Sequence, residues 1–80
     1  MAAKMVEVTS SNVIAIGYDN QKLYVDFASG LYEYDDVPRE VYENFLTAES
    51  KGKYMWTHVR GKYVYRRLTS AERKLHYANN

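Results

Sequence analysis

Eighty residues with 46% apolar side chains make one small domain, 1–80, and argue against general disorder. The absence of cysteine excludes disulfide staples, thiolate metal sites and thiol nucleophiles, and fits a reducing compartment. The formal net charge of +1 conceals an asymmetry: residues 1–50 carry nine carboxylates against three basic side chains, whereas residues 51–80 carry eight basic side chains against Glu72 alone. Such a split points to an anionic partner, or to two halves that neutralise each other. "MAAKMVEV" has no apolar run of the kind a signal peptide needs, and no stretch is long enough to span a membrane, so a cytoplasmic bacterial or phage protein is expected.

Along the chain, "MVEVTS" is a possible weak edge strand, and "NVIAIGY" (12–18) is a β-branched strand that ends in the turn material "DNQ". "KLYVDF" (22–27) alternates, with Leu23, Val25 and Phe27 on one face and Lys22, Tyr24 and Asp26 on the other. This is the pattern of a half-buried strand. A short turn with Gly30 leads into "LYEYD", where Tyr32 and Tyr34 share a face opposite Leu31, Glu33 and Asp35. Because Glu33 and Asp35 favour solvent, Tyr32 and Tyr34 are expected to turn inward as structural residues against Val41 and Phe45.

Pro38 suits a helix start, and Val41, Tyr42, Phe45 and Leu46 form the apolar stripe of a helix packed on the sheet. A second helix is expected over Lys53–Arg60, stopped by Gly61, with Met55 and Val59 facing the core. Trp56 falls between the core face and the solvent face. "KYVYRRL" reads as a short strand or an extended strap. "TSAE" carries the capping-box pattern, Thr69 with Glu72, that opens a marginal terminal helix. The expected fold is therefore α+β: a three- to four-stranded antiparallel meander against two consecutive helices, with a C-terminal strap or short helix. Segments 1–8 and 69–80 are expected to be loosely held, and Asn79–Asn80 to fray.

Enzyme constellations are poorly served. His58 and His76 are the only imidazoles, so a closed zinc site would need at least two carboxylates, and Asp35 and Asp36 are adjacent and point to different sides. No catalytic residues, metal or cofactor are expected. "SKGKY" places a glycine between lysines ahead of a helix. It lacks the spacing of a phosphate loop and reads first as a plain turn. The sharper signal is the basic stretch with interleaved aromatics. Lys51, Lys53, Trp56, Arg60, Lys62, Arg66 and Arg67 are the candidate nucleic-acid-binding residues, because cations neutralise phosphates and aromatic faces stack on unpaired bases. The partner so implied is RNA or single-stranded nucleic acid. An aromatic cluster rimmed by arginine also suits a protein interface, for example a phage accessory protein docking on a host protein. No membrane partner is implied.

The run "SSNVIAIGYD" with "LYVDF", then "YEYDDVP", "SKGKY" and "HVRGKY", resembles the KTSC domain, a small bacterial and phage module named after the C-terminal part of some lysyl-tRNA synthetases. The resemblance spans roughly Thr9 to Arg66. Its motif positions are Ser11, Gly17, Tyr18, Tyr32, Tyr34, Pro38, Ser50, Gly52, Tyr54, Arg60 and Tyr63, with the Tyr-x-Tyr pair as hallmark. It implies no defined activity beyond RNA binding, suggested by the synthetase context. One departure stands out: Trp56 occupies a position where the family pattern has a small polar residue.

Overall fold

A computed structural model describes residues 3–78. Five strands form one antiparallel meander in the order β1 (Met5–Glu7), β2 (Val13–Asp19), β3 (Lys22–Phe27), β4 (Gly30–Tyr34) and β5 (Tyr65–Arg67). Helix α1 (Arg39–Thr47) follows β4. Helix α2 (Lys51–Tyr54) then runs directly into a π-helical turn (Met55–Val59), and α3 (Ser70–Ala78) ends the described chain. The α+β class and the antiparallel sheet are as expected, but the sheet has five strands rather than three or four. The edge strand expected in "MVEVTS" forms and pairs with β2, and the fifth strand is "YRR", which takes the strand rather than the strap alternative and pairs with β4.

Turn chemistry sets the register. Asp19 pairs with Lys22 across Asn20 and Gln21, both at positive φ, which makes a two-residue turn whose twist suits a hairpin. Phe27 pairs with Gly30, and Gly30 sits at φ 147°, a conformation side chains avoid. A Cβ at Gly30 would stand 2.6 Å from Arg67 Nε, so the glycine also makes room for the Arg67 side chain.

Strand alternation divides the side chains into two cores. On the first face Val13, Ile16, Leu23, Val25 and Tyr34 pack against Val37, Phe45, Met55 and Val59, under α1 and α2. The second face was expected to be the solvent side of β3, and here the structure corrects the sequence reading. Tyr24 and Asp26 are buried there with Ala3, Met5, Ala15, Leu31 and Leu68, because α3 lies across them. The capping box forms as expected: Thr69 N–H donates to Glu72 Oε1 at 2.9 Å, and Glu72 N–H donates to Thr69 Oγ1 at 3.2 Å. The terminal segments expected to be loose thus contribute a strand and a packed helix; Asn79 and Asn80 lie outside the described residues.

Tertiary contacts hold α3 where helix propensity alone would not. Asp26, with 0% exposure, accepts from Arg73 Nη2 at 2.8 Å and from the Tyr77 hydroxyl. His76 is buried against the Tyr24 ring, and its Nδ1 accepts from the Ala3 N–H at 3.0 Å, joining the two ends of the domain. Burial, then the Asp26 hydrogen bond, push the Tyr77 phenol well above its ordinary range.

Candidate nucleic-acid interface

The second helix starts two residues earlier than expected, because Ser50 caps it: Ser50 Oγ accepts from the Lys53 N–H at 3.2 Å. That amide is one a phosphate at "SKGKY" would need, and the Lys51 ammonium is turned back onto the Ala48 carbonyl at 2.5 Å. The segment works as a capped turn. Gly52 leaves room there for the Asn12 side chain, whose amide a Cβ would meet at 2.9 Å. Beside it lies a groove of about 390 Å³, lined by Ser50, Lys53, Tyr54, Thr57 and His58, with Glu49 in its wall opposing the charge of Lys53.

Further along, the π-helical turn seats Met55 and Val59 in the core and sends Trp56 outward at 66% exposure. The Arg60 guanidinium lies over the indole, 4.3 Å from the ring centroid. Burial first, then the neighbouring Tyr32 and Tyr65, push the Tyr34 phenol up to about 12, while the Arg60 charge opposes the shift. Tyr34 is 5% exposed and sits in the core beside Phe45. Tyr32 is half-buried and packs edge-on to Phe27 at 5.7 Å.

The structure separates the candidate cations. Lys53, Arg60 and Lys62 are exposed, and none forms an ion pair among the described residues. Arg67 lies on the same sheet face as Tyr32 and is bonded to the Ser29 carbonyl at 2.5 Å, so its charge has no carboxylate partner among the described residues. Arg66 lies on the opposite face. It pairs there with Glu72 at 2.8 Å and with Glu33 at 3.3 Å. The Glu72 carboxyl is held down to about 2, first by Arg66 and then by the Thr69 N–H. The acidic and basic halves therefore do meet, through Glu33 and Asp26 rather than through Glu40, Glu43 or Glu49, while the Arg66–Glu72 pair lies within the basic half.

Tyr65 is the residue that sequence reasoning left out of the candidate set. It is 59% exposed and lies against Tyr34 at 5.6 Å and Tyr32 at 6.1 Å. The signal was available in "YVYRR": alternation puts Tyr65 and Arg67 on one face and Arg66 on the other once the segment is taken as a strand. Among the described residues, no cluster of three or more His, Cys, Asp or Glu could hold a metal, and no helix is long and apolar enough to cross a membrane.

The KTSC domain family model matches residues 9–63, which runs from the β1–β2 loop through the π-helical turn and stops short of β5 and α3. The fold is similar to the crystal structure of a KTSC domain protein from Yersinia pestis, at TM-score 0.82 and 35% identity over 85% of this chain and 100% of that one. An uncharacterized protein of Stutzerimonas stutzeri (strain A1501) is 44% identical over 54 residues, which is 64% of this chain and 76% of its own length. With its hallmark tyrosines in place on β4 and the family model covering most of its length, the chain belongs to the KTSC domain family.

Proposed function

We propose that this KTSC domain is a small non-enzymatic binding module that works in the cytoplasm and holds RNA or single-stranded nucleic acid on the surface carrying Trp56 and Arg60. The observation that carries this reading is the indole at 66% exposure with a guanidinium over it; Lys53 and Lys62, close by in sequence, are exposed and form no ion pair among the described residues. An apolar ring of that size costs free energy when left in water, and a base or another ring laid on it recovers that cost. Arg60 keeps N–H groups at its edge for phosphate while its face is used by the ring.

Several other motif positions have structural duties that explain them: the Tyr18 hydroxyl donates to the Val37 carbonyl at 2.6 Å, and the Tyr54 hydroxyl donates to the Val41 carbonyl at 3.1 Å. Arg60 differs from these, since its contact is with an exposed ring.

A titration of fluorescein-labelled RNA against salt tests the reading. Binding should weaken log-linearly with salt, and a Lys53→Ala/Arg60→Ala double variant should reduce the slope by about 1.4, or about 0.7 for each lost phosphate contact. An absence of binding at low salt, or a slope the double variant leaves unchanged, would contradict it. In the first case a protein becomes the favoured occupant of this surface, tested by a pull-down that survives nuclease.

A further inference from the structure

Beyond Trp56, the chain returns to the sheet as β5 and brings a second exposed ring with it. Arg60 covers the Trp56 ring, and five residues further along the chain Tyr65 opens β5, lying 5.6 Å from Tyr34 and 6.1 Å from Tyr32. Arg67 closes the far end, pinned by Ser29 and accommodated by Gly30. Strand alternation keeps carboxylates off this face. Glu33 and Asp26 fall on the opposite side of β3 and β4, under α3, so the tyrosine face of β3–β5 carries Arg67 and no strand carboxylate. Tyr65 has its inner side against other rings and most of its surface in water.

Resting on the proposed nucleic-acid reading, we infer that Tyr65 is a second stacking platform, and that the ligand is an unpaired strand laid from Trp56 across Arg60 to Tyr65 and Arg67. Two exposed rings separated by an arginine suit a strand whose bases are splayed, each on its own ring, with the backbone near the guanidinium groups. A duplex keeps its base faces stacked on one another and would offer this surface only phosphates. Lys53, Arg60, Lys62 and Arg67 would hold those phosphates on either form, so it is the rings that select the single strand.

The test is fluorescence anisotropy with a labelled RNA of about 12 nucleotides, free and annealed to its complement, at one low salt concentration. The single strand should bind at least about tenfold more tightly than the duplex. Tyr65→Ala should weaken single-strand binding about tenfold, and Tyr65→Phe, which keeps the ring, should not. Thermal melts of the three proteins separate a lost platform from a damaged fold, and Trp56, the chain's one tryptophan, reports stacking by quenching of its emission. Equal binding of strand and duplex, or a Tyr65→Ala variant that binds like the parent, overturns the inference and leaves the nucleic-acid reading standing. No binding of either form overturns both.

Discussion

The two faces of one sheet use the same residue types to opposite ends. Under α3, the arginines end on carboxylates: Arg73 on buried Asp26, and Arg66 on Glu33 and Glu72. Under α1 and α2, the centre is apolar. Its edge carries Tyr32 and Tyr65 with Arg67, bonded to a backbone carbonyl, and Arg60 lies over the exposed Trp56 ring of the adjoining turn. A charge that is already paired has little left for a ligand, whereas an unpaired one beside an exposed ring retains its full field. Charge count therefore says less about function than which face of a strand each charge occupies.

That contrast can be broken in order of size. Phe45→Ala empties the centre of the helix-covered core and should cost about 3–5 kcal/mol, read by urea denaturation. Arg73→Ala strips a buried carboxylate of its cation. About 2–3 kcal/mol is expected, below the loss for a fully buried pair because Arg73 is half-exposed and Tyr77 remains. If Arg73→Ala cost nothing, α3 would not be the structural cover it is taken to be. Trp56→Ala should change stability by no more than about 0.5 kcal/mol yet weaken RNA binding about tenfold, the signature of a ring that serves a ligand.

The smallest effect lies in the pH dependence of Glu72. Its folded carboxyl, held down to about 2 from an ordinary 4.5, favours folding above pH 4.5, and that contribution disappears as pH falls toward 2. Glu72→Gln should therefore melt below the parent at neutral pH, and the gap should close between pH 4.5 and pH 2. A constant gap would assign the loss to capping geometry rather than to the Arg66 charge.

Much of this fold was legible in the sequence, because local signals agreed with the tertiary result. The alternation in "KLYVDF", the stripe from Val41 to Leu46 and the Thr69–Glu72 box each led to the element observed. The second face of β3 was not legible. Lys22, Tyr24 and Asp26 look like a solvent face, and only the long-range bonds from Arg73 and Tyr77 show that α3 covers it. The candidate site was partly legible for the same reason. Arg66 and Arg67 are equivalent as composition, and become different only when β5 pairs with β4 and places them on opposite faces.

The most direct test compares two pairs of arginines. Arg60→Ala/Arg67→Ala and Arg66→Ala/Arg73→Ala remove the same charge from the two faces, and each can be assayed for single-strand RNA affinity at one salt concentration alongside its melting temperature. The first pair should lose at least about tenfold in affinity with its melting temperature nearly unchanged. The second should lose melting temperature and, while folded, bind within a few-fold of the parent. Equal losses of affinity from both faces, or a larger loss from the α3 face, would contradict the contrast between them.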